Sequence, residues 1–205
     1  MLPASLSAVH TTGRVSIAPR GIALLGATGS IGTQALDIVR LFPDRLRVRA
    51  LTAGNNAELL AAQAEEFRPA LVVIGDEAAA PGLRRRLGPL GIDVLTGDEG
   101  LCEAARVDEA DLVLTAVVGS CGLLPTLAAI EAGRTIALAN KETLVVGGAL
   151  VAAAAKRNSV AILPVDSAHS AIFQCLVGAP PDSVARLPLT ASGGPFRARP
   201  AHTFS

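Results

Sequence analysis

Gly26-Ala27-Thr28-Gly29-Ser30-Ile31-Gly32 follows one apolar run directly and opens another of different period. The run before it, Ile22 to Leu25, reads as a short buried strand, and Ile31 to Leu41 carries apolar residues at helical spacing. A strand that turns through three glycines into a helix supplies what a nucleotide pyrophosphate needs. It offers backbone N–H groups facing a concavity, no Cβ where the chain passes close, and the positive end of a helix dipole behind them. Gly26, Gly29 and Gly32 give the close approach, and Thr28 and Ser30 add hydroxyl donors or a cap. The same residues also suit an ordinary tight turn between a strand and a helix.

On either side of this turn, short Val/Ile/Leu runs alternate with Ala/Leu/Glu/Arg stretches, the pattern of a parallel sheet covered on both faces by helices. The expected strands are Ile22 to Leu25, Leu46 to Thr52, Leu71 to Ile74, Ile92 to Leu95, Leu112 to Val118, Thr135 to Ala139 and Val160 to Leu163. The clearest helices are Ile31 to Leu41, Ala57 to Phe67, Glu77 to Leu87, Pro125 to Ala132 and Leu144 to Lys156. Pro43, Pro69 and Gly133 fall where such helices stop. The fold class is therefore α/β, a doubly wound (Rossmann-like) parallel sheet over residues 21–163. Residues 1–20, with Arg14, Arg20, several Ser and Thr and no acid, read as a frayed flexible extension, or alternatively as a weak transit peptide. From residue 164 the alternation weakens. Arg186 to Thr190 and Ala191-Ser192-Gly193-Gly194-Pro195 look like the opening of a second domain that 205 residues do not complete.

Composition narrows the function. Eighteen Lys and Arg balance eighteen Asp and Glu, and there is no Trp, no Tyr and five Phe, so both the basic field and the stacking surfaces of a nucleic-acid binder are missing. Cys102, Cys121 and Cys175 are odd in number and far apart, which argues against a disulfide framework or a structural zinc site and points to a reducing cytoplasm. Leu112 to Ile130 is uncharged, yet Gly119, Ser120, Gly122 and Pro125 interrupt it, so it reads as strand, turn and helix and not as a membrane span.

Three further clusters sit where strands end. The second strand runs into Thr52-Ala53-Gly54-Asn55-Asn56, with no carboxylate between Asp44 and Glu58. An NAD site usually places an acid there, so the lack of one permits a 2′-phosphate and prefers NADP, with Asn55 and Asn56 as donors or simply as turn formers. Asn140-Lys141-Glu142 follows the sixth strand, where one cation would polarise a carbonyl or hold a phosphate, or where a helix merely starts with Glu142 near its dipole. Ile162 to Ser170 contains Asp166, a hard oxygen ligand suited to Mg²⁺ or Mn²⁺, although Asp beside Ser is more commonly a helix cap. His169 has no visible partner, and His10 and His202 lie near the ends.

Taken in order, and joined by Ala116-Val117-Val118-Gly119-Ser120-Cys121-Gly122-Leu123-Leu124-Pro125-Thr126-Leu127-Ala128-Ala129-Ile130, these clusters closely resemble the 1-deoxy-D-xylulose 5-phosphate reductoisomerase family from about Gly21 to Phe196. The resemblance covers roughly the first half of the family's length. It implies an enzyme of the non-mevalonate isoprenoid pathway that uses NADPH and Mg²⁺ or Mn²⁺ to rearrange and reduce 1-deoxy-D-xylulose 5-phosphate to 2-C-methyl-D-erythritol 4-phosphate. It implies NADPH contacts from Thr28, Gly29, Ser30, Ile31, Gly54, Asn55, Asn56, Asn140 and Glu142, substrate contacts from Lys141, Ser167 and Ser192, and metal ligation by Asp166. It further implies that residues 164–205 begin an α+β catalytic domain, incomplete here, and that the complete protein is a cytoplasmic homodimer.

Departures from the family pattern qualify those expectations: its further metal-binding acid and remaining phosphate-binding residues fall beyond Ser205, and two positions within the sequence differ. The family pattern Val-Asp-Ser-Glu-His reads Val165-Asp166-Ser167-Ala168-His169 here, so a methyl group stands where a carboxylate belongs. Asn55 stands where relatives often have a basic residue. The expectation is a chain that binds NADPH without turning over. Another NADP-dependent dehydrogenase and a non-catalytic NADP-binding fragment are the alternatives.

Overall fold

The structure, a computed structural model, describes residues 18–180, 183–186 and 200. Ser192 and the run from 187 to 190 lie outside the described residues, as do residues 1–17 of the expected extension. The described part divides into two compact units between Ser170 and Ala171.

Among the described residues, seven parallel strands form one sheet. They are β1 (Arg20–Leu25), β2 (Leu46–Ala53), β3 (Leu71–Ile74), β4 (Asp93–Thr96), β5 (Leu112–Thr115), β6 (Thr135–Leu138) and β7 (Ile162–Pro164), in the order β4-β3-β2-β1-β5-β6-β7. The connecting helices are α1 (Ser30–Leu41), α2 (Ala57–Phe67), α3 (Ala80–Leu87), α4 (Gly97–Arg106), α5 (Leu123–Glu131) and α6 (Glu142–Arg157), with α7 (Ser167–Leu176) following β7. The order reverses at β1, whose neighbours are β2 and β5. Open α/β sheets bind ligands at such a switch point, outside the carboxyl ends of the strands.

Alternation along β1 shows why it anchors that point. Leu24 faces the core shared with Leu36, Leu51, Leu60 and Leu87, while Leu25 faces the opposite core with Val113, Ile130, Ile136 and Val151. Both leucines are almost fully buried, and each stabilises the fold by roughly 1.5–3 kcal/mol relative to exposure. A strand held on both faces cannot drift, so the turn that leaves it starts from a fixed place.

Pairing, not composition, sets the strand ends. Leu25 of β1 pairs with Thr115 and Thr115 pairs with Leu138, so β5 stops at Thr115 and not at Val118. Ala116 to Val118 form a loop instead, with Val118 exposed, followed by a 3-10 turn over Gly119–Gly122. The uncharged Leu112 to Ile130 stretch is thus a strand, a turn and most of α5, and no helix among the described residues is long and apolar enough to cross a membrane. Glu77 to Leu87 likewise breaks into a 3-10 turn over Glu77–Ala79 and then α3, because the Asp76 carboxylate accepts the Ala78 amide at 3.0 Å and closes a tight first turn.

Candidate dinucleotide site at the sheet switch point

The glycine-rich turn leaves β1 in a conformation that only glycine adopts easily. Gly26 has φ +90°, and a Cβ there would lie 2.6 Å from the Ala116 carbonyl oxygen of the facing loop. A Cβ on Gly32 would lie 2.2 Å from the Gly26 oxygen, so α1 docks directly on its own turn. The turn is also pinned from below. The Gly26 amide donates to Thr52 Oγ1 at 3.0 Å, the Ala27 amide donates to the Thr52 carbonyl at 2.7 Å, and Gln63 Nε2 donates to the Ala27 carbonyl at 3.0 Å.

What remains open is the tip. Gly29 stands at the N-cap of α1 with no side chain capping the helix and no acid in its first turn. Gly29, Ser30 and Ile31 are exposed, and Thr28 is half-buried. The leading amides of a helix lack intrahelical acceptors and carry about half a positive charge between them. Here they face out of the carboxyl edge of the sheet, a suitable setting for an anion.

The loop across the crevice is fixed by one buried side chain. Asn140 Nδ2 donates to the carbonyls of Val117 and of Gly119, the latter at 3.0 Å. Its Oδ1 accepts the Thr143 amide at 2.8 Å and the Thr143 hydroxyl at 2.5 Å. The Asn140 amide donates to the Thr115 carbonyl at 3.0 Å. Every side-chain valence of Asn140 is therefore used inside the fold, and any contact of this residue with a ligand falls to its carbonyl. Lys141 next to it is exposed and Glu142 begins α6, where a carboxylate suits the positive end of the helix.

At the tip of β2, Gly54 is exposed with open space where a Cβ would stand, and Asn55 is exposed. Asn56 caps α2, its Oδ1 accepting the Leu59 amide at 3.1 Å. The Asp76 amide donates to the Gly54 carbonyl at 2.8 Å, so an acid from the end of β3 does stand beside this tip, with its carboxylate engaged by Ala78. Nothing along the sequence of β2 signals Asp76, whose approach depends on β3 lying beside it.

Asp166 behaves as a cap. Its Oδ1 accepts the amides of Ala168 and His169 at 3.0 and 3.2 Å and lies 2.7 Å from His169 Nδ1. These hydrogen bonds, that of the His169 ring first, hold the Asp166 carboxyl below its usual range. Ser167 is exposed beside it at the start of α7.

The structure thus gathers Thr28 to Ile31, Gly54 to Asn56 and Asn140 to Glu142 at the carboxyl edge of one sheet. An uncapped helix, an open glycine and a walled crevice fit a dinucleotide. A divalent cation is not provided for to the same extent. Among the described residues no three His, Cys, Asp or Glu side chains converge, and Asp166 has only Ala168 where a second acid would stand. A cleft of about 640 Å³ lined in part by Arg84, Asp93 and Arg106 runs along β4 at the far edge of the sheet, apart from all of these loops.

Comparison with known proteins identifies the family. A family description, 1-deoxy-D-xylulose 5-phosphate reductoisomerase, matches residues 22–148, and the C-terminal domain of that reductoisomerase matches residues 162–205. The 1-deoxy-D-xylulose 5-phosphate reductoisomerase of Symbiobacterium thermophilum is 59% identical over 184 residues, which cover 88% of this chain and 48% of that protein. The structure of the reductoisomerase from Zymomonas mobilis in complex with NADPH superposes with a TM-score of 0.81 at 43% identity, covering 89% of this chain and 48% of that one. A reductoisomerase in complex with NADPH, fosmidomycin and magnesium superposes with a TM-score of 0.73 at 44% identity, covering 76% of this chain and 38% of that one. The chain spans about half the length of the curated relatives it matches. With the fold, the order of the clusters and the matched residues in agreement, the chain belongs to the 1-deoxy-D-xylulose 5-phosphate reductoisomerase family.

Proposed function

We propose that this chain is the NADPH-binding part of an enzyme that converts 1-deoxy-D-xylulose 5-phosphate to 2-C-methyl-D-erythritol 4-phosphate. The observation that carries the reading is the uncapped, glycine-lined start of α1 at the sheet switch point, in a chain that belongs to this family. The amides of Thr28, Ser30 and Ile31 receive the pyrophosphate there, and Gly29, whose own amide donates to the Gly26 carbonyl at 3.3 Å, lets it approach the backbone. Gly54 lets the adenosine end pass close to the backbone, and Asn55 and Asn56 serve a 2′-phosphate. Asp76 stands near enough that the preference for NADP rests on those asparagines and on the absence of an acid at the tip of β2 itself.

On the other side of the crevice, the Asn140 carbonyl and Glu142 complete the cofactor's surroundings. Lys141 holds the anionic end of the sugar phosphate, with Ser167 as a further donor. When bound, NADPH supplies the hydride that reduces an aldehyde. The protein's share is to hold that donor against a substrate oriented by Lys141, beside a loop pinned by Asn140. Asp166 would offer one carboxylate towards a divalent cation, but the described residues do not complete the ligand set. Assembly as a homodimer in the cytoplasm belongs to the same reading, on the strength of the family.

Titration of the chain with NADPH, followed by the cofactor's own fluorescence, tests the proposal. Saturable binding that is abolished by Ser30→Glu, a like charge against the pyrophosphate, supports it. Undiminished binding by that variant contradicts it. A second reading, an NADP-binding chain without turnover, is favoured by Ala168. Metal-dependent NADPH oxidation with the sugar phosphate distinguishes the two.

A further inference from the structure

Gln63 sits in the second turn of α2 on the face that carries Leu60, Ala61 and Ala64, and it is 4% exposed. Its Nε2 donates to the Ala27 carbonyl at 3.0 Å, whereas its Oε1 is buried with no hydrogen-bond partner. A buried amide with an orphaned oxygen is a poor choice for stability, since an apolar side chain of that length would pack there without one. The single bond it makes therefore calls for a reason.

That reason lies in the peptide plane it touches. The described chain contains no cis peptide bond. In a trans peptide the C=O of one residue and the N–H of the next point in opposite directions. Holding the Ala27 carbonyl towards α2 thus turns the Thr28 N–H the other way, out of the core. The flanking Gly26 and Ala27 amides are tied down on Thr52, so Gln63 supplies the last constraint on this plane.

We infer that Gln63 is a positioning residue for the cofactor, fixing the Ala27–Thr28 peptide so that the Thr28 amide is aimed at the pyrophosphate before it arrives. The inference rests on the dinucleotide reading proposed above. A preset donor needs no reorganisation on binding, and a hydrogen bond to a charged group lost by misorientation costs about tenfold or more in affinity.

Gln63→Met tests this in the full chain. The substitution removes one orphaned oxygen at position 63 and leaves another at Ala27, so the melting temperature should move by only a few degrees. NADPH affinity should fall about tenfold. Adenosine 2′-monophosphate, which has the 2′-phosphate and no pyrophosphate, should bind both proteins alike. Equal NADPH affinity in both proteins, or equal loss for the two ligands, overturns the inference. A measurement without any substitution covers the case in which the variant fails to fold. In the unsubstituted ¹⁵N-labelled chain the Thr28 amide proton should shift downfield with NADPH, and an unmoved Thr28 resonance in a saturated sample overturns the inference. Failure of the unsubstituted chain to bind NADPH at all removes the underlying reading instead, a result that separates the two.

Discussion

The carboxylate of Asp166 lies 2.7 Å from Nδ1 of His169 while the same oxygen accepts the Ala168 and His169 amides. The residue proposed to face a metal thus serves as a helix cap through one of its oxygens, and Ala168 stands two positions on. Cation affinity rises with the number and charge of converging oxygen ligands. Mn²⁺ should leave the melting temperature of the chain unchanged. Ala168→Glu should raise Mn²⁺ affinity by about tenfold or more, read as paramagnetic broadening of the Ser167 and His169 amides. Broadening of equal strength in the unsubstituted chain would show that one carboxylate suffices.

Asn140 joins the loop over Val117 to Gly119 to the start of α6 through four side-chain hydrogen bonds, and its backbone amide ties both to the end of β5. Asn140→Ala should destabilise the chain by about 2–4 kcal/mol, since it orphans buried partners. NADPH affinity should fall with it. Chemical denaturation alongside NADPH titration checks both, and an intact affinity in a folded variant would detach this wall from the site.

Two glycines should respond in opposite ways. Gly32→Ala drives a Cβ to 2.2 Å from the Gly26 oxygen, backbone against backbone, and should cost about 2–3 kcal/mol and most of the NADPH affinity. Gly54→Ala meets nothing within 4 Å in the chain, so its stability should stay within about 0.5 kcal/mol of the parent. On the proposed function its NADPH affinity should nevertheless fall, because the adenosine end would pass through that open space. Thermal unfolding with and without NADPH separates the two effects.

Arg40 of α1 forks onto Glu66 of α2, with contacts of 2.5 and 2.6 Å, and so ties the helix that starts at the glycine turn to the helix that carries Gln63. Hydrogen bonding from Arg40 holds the Glu66 carboxyl below its usual range. A lowered carboxylate contributes above its unfolded pKa of about 4.3 and is lost as pH falls through the lower folded value. Both side chains are near half exposed, so the contribution is under about 1 kcal/mol. Glu66→Gln should be slightly less stable than the parent near pH 6, and the gap should close below about pH 4. A gap that widens in acid has the wrong sign for this account.

Much of the fold was legible because its elements follow local rules. The apolar spacing of Ile31 to Leu41 and the Ala/Leu/Glu stretch from Ala57 to Phe67 place α1 and α2 to within a residue. Errors arose where tertiary pairing overrode local preference. Val117 and Val118 have the branching of a strand, but β1 and β6 end opposite Thr115, so they have no partners to extend the ladder. The helix α4 is not among the clearest in the sequence because Gly97 and Gly100 weaken its helical signal. Gly100 is needed where α4 packs so closely that a Cβ would lie 3.0 Å from Val73 Cγ1. In the site, the strand-end clusters were visible in the sequence and the residues that brace them were not. Gln63 had a signal, a polar residue on the apolar stripe of Leu60 and Ala64, whereas the approach of Asp76 to Gly54 depends on β3 lying beside β2.

Whether the cofactor diphosphate rests on the start of α1 is best decided by amide shift mapping of the ¹⁵N-labelled chain during an NADPH titration. The largest changes should fall on Thr28 to Ile31 and Gly54 to Asn56, with smaller ones from Ala116 to Gly122. Changes confined to the cleft along β4, at Ala70, Asp93 and Val94, with the glycine turn silent, would contradict the assignment.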